Sequence, residues 1–346
     1  MRTENTQIAI STLCESAFNT PKTSASDYEG LPTTEPFFHL PKVEKVNDGG
    51  RVGKNAPSHL CNTYWSHGEV SIKDDVDTNV PARLLRRALG GGTVVDSLVS
   101  TGVYDHTFSI LPPQVGDTLP SFNIVAILGA ANFLLSGVMV DSIKFSQKNA
   151  ERVQYEASLV GSGKFTNPSG ISPFPGMAFT PCMDGYKVEV KYTDADGVTP
   201  VNLSSAGKVV EWSVEHKNNI RRDKRRTGDP IQTVSGASAA YIRKQPRGKY
   251  ETTAQITVDF EDSLADWIKS VKNEQLTNLS FLIPGPAIGS SRHEFELIIP
   301  LFSFDTPDTG DDDGDAVTPI NIVCLEDPVT KGTMTARIRN ATATLF

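Results

Sequence analysis

The chain has 346 residues, of which 38% are hydrophobic and 21% are charged, and its formal net charge is −8. This length and composition are typical of a soluble protein with one large or two medium domains and a hydrophobic core. Gripping nucleic acid by its phosphates requires clustered positive charge, so the acidic balance argues against a nucleic-acid-binding protein of that kind.

The four cysteines lie far apart in the sequence and form no CxxC pair. They are Cys14, Cys61, Cys182 and Cys324. This spacing predicts neither a zinc site nor a disulfide framework, so reduced thiols are expected. The N-terminal sequence has no apolar segment after Arg2, which argues against a secretory signal peptide. We therefore expect synthesis in a cytoplasm.

Residues 1–60 are rich in threonine, serine and proline, and the prolines argue against a long helix. The segment also carries Tyr28, Phe37, Phe38 and Leu40, which need a surface to pack on and are unusual in a disordered tail. We predict an extended N-terminal arm over 1–60 that lies on the body of the protein or on a partner.

Two short helices are predicted from amphipathic segments. NVPARLLRRAL (79–89) has a proline near its first turn, and EDSLADWIKSV (261–271) places its large apolar side chains on one face. Each segment follows a strand-like run and precedes further strands, so the order of elements is similar in two halves, 61–180 and 181–346. The sequence therefore leaves two interpretations of these halves: an internal duplication of one domain, or a single composite domain.

The stretch from Thr118 to Val140 has no charged residue and is long enough to cross a bilayer. Its three interpretations are a membrane helix, a buried helix and a pair of strands. Asn123 and Ser136 interrupt it, and no Lys or Arg lies next to it, which disfavours a membrane span. It divides at Gly129, so we predict a strand, a turn and a second strand that is buried on both faces.

The second of these strands leads into the strongest local pattern, an alternation of apolar and polar residues over 137–160. Alternation on both sides of the turn-like QKNAE predicts a long β-hairpin with one wet face. On the return strand the wet face is formed by Arg152, Gln154, Glu156 and Ser158. The same pattern over 210–216 and 250–260 predicts a second pair of strands.

No catalytic, cofactor or metal site is predicted. The six histidines lack metal-binding or catalytic spacing, and the sequence contains neither a nucleophile elbow nor a phosphate-binding loop. His106 alternates with strand residues in YDHTFSI and is interpreted as a structural strand histidine. The sequence therefore does not predict an enzyme.

Two segments of opposite charge stand out. The basic segment 217–226 contains Arg221, Arg222, Lys224, Arg225 and Arg226. The acidic segment 305–315 contains Asp311, Asp312 and Asp313. It lacks the full ligand spacing of a calcium loop. We favour a contact between copies of the chain, in which the basic segment of one copy meets the aspartates of another. The two alternatives are a contact with phosphates and loops that are simply exposed to solvent.

Several short motifs, taken together in chain order, resemble those of bacteriophage tail tube proteins of long-tailed phages. They are ESAFNTP (15–21), HTFSI (106–110), LPSFNI (119–124), SGVMVDSIKFSQKNAERVQYEASLVGSG (136–163) and the closing GTMTARIRNATATLF. The similarity covers most of the chain, although each motif is short. Asn19 stands where the family often has glycine.

The resemblance implies a mainly-β protein, a β-sandwich or β-barrel with short flanking helices. It implies rings of six tube domains, supplied by six subunits or by three duplicated ones, that stack into a tube. Hairpins of neighbouring subunits would join into a barrel around a channel for genome ejection, with Arg152, Gln154, Glu156 and Ser158 facing the lumen or ring interior. An acidic lumen would keep DNA from sticking.

The implied partners are further copies of the chain, the tail terminator and tail-tip proteins, and the tape measure protein and DNA in the lumen, without sequence-specific binding or a membrane. The implied location is the virion, after synthesis in the host cytoplasm. The alternative is a monomeric β-sandwich binding or adhesion module. Such a module would expose clustered aromatic residues, whereas Trp65, Trp212 and Trp267 fall at core-like positions.

Overall fold

The computed structural model describes nineteen parts of the chain. They are residues 6–31, 37–38, 42–47, 62–91, 94–110, 119–128, 131–149, 151–166, 181–194, 197–204, 209–221, 229, 231–234, 237–242, 245–259, 275–305, 310–312, 315–329 and 332–343.

Within these parts the protein is mainly β, as predicted. The strands are β1 Thr6–Ser11, β2 Tyr28–Gly30, β3 Phe37–Phe38, β4 Lys42–Asn47, β5 Asn62–Asp75, β6 Val95–Ser100, β7 Val103–Ser109, β8 Phe122–Leu128, β9 Ala131–Lys148, β10 Gln154–Gly161, β11 Lys164–Thr166, β12 Glu189–Thr193, β13 Pro200–Asn202, β14 Val209–Lys217, β15 Ile231–Val234, β16 Ala237–Ala240, β17 Glu251–Asp259, β18 Leu276–Ile288, β19 Ser291–Phe304, β20 Gly310–Asp312, β21 Asp315–Leu325 and β22 Thr335–Asn340. The helices are α1 Val80–Ala88 and the 3₁₀ turns Ala25–Asp27 and Gly185–Lys187.

The strands form two layers that face each other across one core. The first layer has the order β5-β10-β9-β14-β17-β21, and its neighbours are antiparallel. The second layer has the order β12-β18-β19-β22-β7, also antiparallel. Aromatic pairs join the layers: Trp212 lies 5.0 Å from Phe281 and Phe145 lies 5.2 Å from Phe295 between ring centroids. Because β21 pairs with both β17 and β19, one continuous sheet supplies both layers.

The described residues of the charge-free stretch form strands, as predicted. β8 and the first part of β9 pair antiparallel, and the predicted turn at Gly129 lies outside the described residues. Ile124 belongs to the main core, while Val125 and Leu134 pack on the other side against Ala9 and Tyr28. Burial on both faces explains why the stretch lacks charge. No helix in the described parts of the chain is long and apolar enough to cross a membrane.

Part of the predicted N-terminal arm is a component of the sheet. β1 pairs with β8 and β2 pairs with β1, and Ile8, Ala9 and Ile10 are buried. Residues 6–31 therefore lie on the body, with bends, turns and a 3₁₀ turn between β1 and β2, and of the rest of 1–60 the structure describes only β3 and β4. The separate domain at 1–60 stays a prediction.

The predicted helix 79–89 is confirmed as α1. Pro81 occupies its first turn, where a missing N–H costs nothing, and Leu84, Leu85 and Ala88 are buried. Its C-terminus is held from a distant strand end, because the Asn218 side-chain amide donates to the Ala88 carbonyl at 2.9 Å. The second predicted helix, 261–271, lies outside the described residues.

Seven antiparallel pairings of the first part of the chain recur, strand for strand, in the second part. The pairings β1–β2, β1–β8, β3–β5, β5–β10, β8–β9, β9–β10 and β9–β11 correspond to β12–β13, β12–β18, β14–β17, β17–β21, β18–β19, β19–β21 and β19–β22. The corresponding strands also follow in the same chain order. The domain boundaries at 60 and 180 stay a prediction, although the first set of pairings begins with β1, well before residue 60.

Candidate functional site

The outer face of the first layer is a broad polar surface, which we call the polar sheet face. Along β10 the buried residues Tyr155 and Ala157 alternate with exposed Gln154 and Glu156 and with half-buried Ser158. The predicted hairpin and its wet face are therefore confirmed as local structure. Arg152, which precedes β10, is also exposed, and its guanidinium donates to the Asp75 carboxylate at 2.8 Å. All four residues predicted for the wet face are thus on the surface.

Opposite charges alternate across this face. Glu156 of β10 lies opposite Lys73 of β5 on one side and Lys144 of β9 on the other, and Lys144 lies opposite Glu215 of β14. Cross-strand pairs of opposite charge stabilise a sheet by about 0.2–1 kcal/mol each. Four strands are thereby joined by one row of alternating charges.

The neighbouring positions repeat this pattern. Lys148 lies opposite Glu211, and Lys217 lies opposite Glu251 while its ammonium is 3.0 Å from the Glu215 carboxylate. The lysines of the polar sheet face are therefore offset locally by glutamates. Because each of these lysines lies beside a glutamate, they offer little unpaired positive charge to a phosphate.

We expect Lys144→Glu to lower the free energy of unfolding by about 1 kcal/mol, because it places three carboxylates in one row. Adding Glu215→Lys to that variant is expected to restore part of the loss. Urea unfolding of the isolated subunit measures both effects. Gln255→Glu is the matched control, since Gln255 lies on the same face opposite the neutral Ser213 and Asn321. Equal losses from Lys144→Glu and Gln255→Glu would contradict the charge row.

The tip of the β9–β10 hairpin is held by a buried glutamine. The Gln147 amide donates to the carbonyl oxygens of Gly185 at 2.7 Å and of Glu151 at 3.1 Å, and its oxygen accepts from the Trp212 indole at 2.7 Å. Gly185 lies so close to the turn that a Cβ atom on it would be 1.8 Å from the Glu151 carbonyl oxygen. The 3₁₀ turn at Gly185–Lys187 therefore sets the position of the hairpin tip.

The base of the hairpin is held by a half-buried carboxylate. Glu15 accepts hydrogen bonds from the backbone N–H groups of Asn19 and Gly137, both at 2.9 Å, and from the side chains of Ser121 and Asn123. Burial raises the pKa of Glu15, and the four hydrogen bonds partly offset that rise. This one side chain joins the N-terminal segment to β9 and to the start of β8. Nothing in the local sequence pattern indicated that role.

Two residues near Glu15 have left-handed backbone conformations. Gly137 has φ +64°, and Asn19 has φ 67°. Among residues with a side chain, asparagine is one of those that tolerate this region best, which accounts for Asn19 at a position where glycine is frequent in the resembling family. The Asn19 amide also donates to the Ile242 carbonyl at 3.1 Å, and its oxygen accepts from the Ser162 hydroxyl.

A family model described as "Phage tail tube protein" matches residues 15–324, which is most of the chain. The chain belongs to the phage tail tube protein family. No curated protein matches the sequence. Membership makes the protein a structural component of the phage tail and implies self-assembly into a tube and contact with other tail components.

The structure describes only some of the residues that were predicted to make contacts between copies of this tail tube protein. Arg221 is exposed at the end of a described part, whereas Arg222, Lys224, Arg225 and Arg226 lie outside the described residues. Asp311 and Asp312 belong to β20, which pairs with the start of β21, and Asp313 lies outside. The contact between the basic and acidic segments of different copies stays a prediction.

His106 is a structural residue of the tail tube protein, as predicted. It is buried in β7, with Nδ1 2.5 Å from an Asp96 carboxylate oxygen and Nε2 3.0 Å from the Asn340 side-chain oxygen. These bonds connect the strands β6, β7 and β22. Among the described residues, no group of three or more His, Cys, Asp or Glu side chains is arranged to hold a metal ion.

Proposed function

We propose that this tail tube protein forms stacked rings whose central channel carries the phage genome during ejection into the host. The observation that carries the proposal is the polar sheet face, a wide surface of paired charges and small polar residues on the opposite side of the sheet from the core. Such a face suits a water-filled wall. The channel is favoured over a binding module, because Tyr186 is the only strongly exposed aromatic among the residues whose burial the structure describes.

The paired charges of the polar sheet face suit DNA passage. The four lysines Lys73, Lys144, Lys148 and Lys217 each have a glutamate opposite them in the next strand. Phosphate binding gains free energy by releasing counterions from clustered positive charge, and a wall of paired charges offers little such gain. DNA, and before it the tape measure protein, would therefore slide along the wall without sequence-specific binding.

The repeated pairings support a ring of three chains. Each chain contains two sets of corresponding strands, and eight of them follow one another across the sheet in the order β3-β5-β10-β9-β14-β17-β21-β19. Three chains would close these strands into a barrel with a circumference of about 115 Å and a diameter of about 37 Å between backbones. That diameter leaves room for a DNA duplex.

The repeat therefore favours three subunits over six, because six chains of this size would double the circumference. In this arrangement the rings stack between the tail terminator and the tail-tip proteins. Electron microscopy of the purified protein tests the proposal, with rings or tubes as the expected result. The mass of one isolated ring then separates three chains from six. A subunit that stays monomeric under every assembly condition would overturn the proposal.

The direction of the polar sheet face is tested by labelling. Glu156→Cys in a Cys182→Ser parent is expected to react with a maleimide carried on a globular protein wider than the proposed lumen in the isolated subunit but not in assembled tubes, because that reagent cannot enter the lumen. A small maleimide is the control and is expected to react in both states. Cys182 is replaced because it is an exposed free thiol. Equal bulky labelling of tubes and subunits would place Glu156 on the outer wall.

A further inference from the structure

A fully buried arginine lies in the last turn of α1. Arg87 is 1% exposed, and its Nη2 atom donates to the carbonyl oxygens of Ser11 at 2.7 Å and of Thr12 at 3.2 Å. Its guanidinium lies over the Phe122 ring, 4.3 Å from the ring centroid. A basic residue near a helix C-terminus interacts favourably with the helix dipole, but that interaction does not require burial. The burial of Arg87 therefore needs another explanation.

Two other donor atoms of this guanidinium are not used by the described parts of the chain. Nε and Nη1 are buried, and no described residue accepts a hydrogen bond of normal geometry from them. Burial lowers the pKa of Arg87 to about 10, so the group stays charged at neutral pH. The charged groups that act on it are the sulfur of Cys14, a weak acceptor, and the two arginines Arg83 and Arg86. A buried charge without an anionic partner is costly.

The acidic side chains on the surrounding segments are engaged elsewhere. Glu29 accepts from the Arg83 guanidinium, and Glu15 is held by the four hydrogen bonds described above. A carboxylate oxygen of Asp96 lies 2.5 Å from His106. None of these three carboxylates is among the groups that act on Arg87. The described residues therefore place a buried positive charge here without a carboxylate to neutralise it.

Arg87 lines a pocket of about 440 Å³, which we call the Arg87 pocket. The other described residues around it are Thr12, Leu13, Cys14, Arg86, Gly91 and Pro120. Leu13 is exposed and Cys14 is half-buried, so the pocket is reached from solvent. One water takes up about 30 Å³ of the liquid, so the pocket has room for a polyatomic ion together with several waters. Among the described residues that line it, none is acidic.

We propose that the Arg87 pocket binds a small free oxyanion of the phosphate class. The ion accepts from the unused donors of Arg87, and the Cys14 side chain beside the guanidinium turns aside to admit it. Two guanidinium groups on one pocket, Arg86 and Arg87, suit a doubly charged tetrahedral ion better than a single carboxylate. The bound ion connects residues 12–14, which follow β1, to the end of α1. This inference concerns the isolated subunit and does not depend on the proposed ring.

Protection of Cys14 from alkylation tests the inference. Isolated subunits are treated with a small maleimide with and without inorganic phosphate, at equal ionic strength set with potassium chloride, and the modification of each cysteine is followed by peptide mass spectrometry. Calorimetry with inorganic phosphate gives the Kd. At about ten times that Kd, we expect alkylation of Cys14 to slow about tenfold by mass action. Cys182, an exposed thiol outside the pocket, should react at the same rate in both buffers.

Two variants separate a specific site from a general effect of phosphate. Arg87→Met removes the buried charge and keeps an apolar side chain in its place, so both the protection of Cys14 and the calorimetric signal should be lost. Arg221→Gln removes one positive charge from an exposed site outside the pocket and should keep both. Urea unfolding in phosphate-free buffer shows that each variant is folded. If Arg87→Met does not fold, Arg86→Gln replaces it and should weaken phosphate binding several-fold.

Three outcomes would overturn the inference. The first is equal alkylation of Cys14 with and without phosphate, together with no calorimetric binding. The second is a folded Arg87→Met variant in which phosphate protects Cys14 as well as it does in the natural chain. The third is protection of Cys14 on assembly in phosphate-free buffer with none by phosphate in subunits, because the pocket would then take a side chain of a neighbouring copy. The proposed function would survive all three.

Discussion

Gly185→Ala is expected to lower the free energy of unfolding of the subunit by about 3 kcal/mol or more. A Cβ atom at this position would lie 1.8 Å from the carbonyl oxygen of Glu151 and 2.8 Å from its carbon, and both are backbone atoms that no rotamer change can move away. The turn must shift, which breaks the bonds of the Gln147 amide to Gly185 and Glu151. Urea unfolding measures the loss.

The matched control for this prediction is Gly289→Ala. Gly289 has φ +55°, and a Cβ atom there would meet nothing within 4 Å, so only backbone strain of about 1 kcal/mol is expected. Because Gly185 positions the tip of the hairpin that carries the polar sheet face, the Gly185→Ala variant should also assemble poorly in microscopy. If both alanine variants were equally stable, the packing of the turn on Gly185 would not limit the fold.

Glu15→Gln is expected to lower the free energy of unfolding by about 1–3 kcal/mol, because each oxygen of the carboxylate accepts two hydrogen bonds. An amide NH₂ cannot accept, so at least one buried donor, such as the N–H of Asn19 or Gly137, loses its partner. Glu15→Ala removes all four acceptor contacts and should cost more. Glu156→Gln, on the exposed polar sheet face, is the control and should change stability by less than about 1 kcal/mol.

The effect of Glu15→Gln should also depend on pH in a defined direction. Burial raises the pKa of Glu15 above 4.5, so the folded protein binds this proton more tightly than the unfolded chain does. The resulting stabilisation is present below the unfolded pKa and is lost as the pH rises through the folded pKa. The glutamine variant lacks this dependence, so its deficit should narrow as the pH rises across that range. A deficit that widens instead would mean that the hydrogen bonds outweigh burial at Glu15.

The repeated strand pairings connect the fold to assembly. In the proposed ring, a single-domain subunit would form every side-to-side contact with other chains, whereas the β9–β14 pairing would provide one such contact inside each chain. An in-chain contact forms without the entropy cost of association. It also fixes the register of two neighbouring sheet segments before assembly begins. Three contacts between chains would then close the proposed ring of six corresponding units.

Local pattern determined the strands and the first helix of this protein. Alternation of apolar and polar residues has the period of a strand, and it identified β9, β10, β14 and β17 and the exposed side of β10, including Glu156. A proline at the start of an amphipathic segment identified α1. The uncharged stretch was correctly predicted to form strands and not a membrane helix. Short motifs in chain order were enough to suggest the family.

Only the tertiary structure decided which strands are neighbours and which polar residues act over a distance. Glu15 is an ordinary acidic residue in the sequence, and its role arises because donors more than a hundred positions away, on Ser121, Asn123 and Gly137, converge on it. Gly185 is decisive only because another segment's backbone approaches it. The recurrence of the strand pairings was not evident from the sequence, because a pairing order rests on backbone hydrogen bonds that most residue types can make, whatever their side chains. Sequence periodicity reports the two faces of each strand, and long-range pairing is set by the packing of the whole chain.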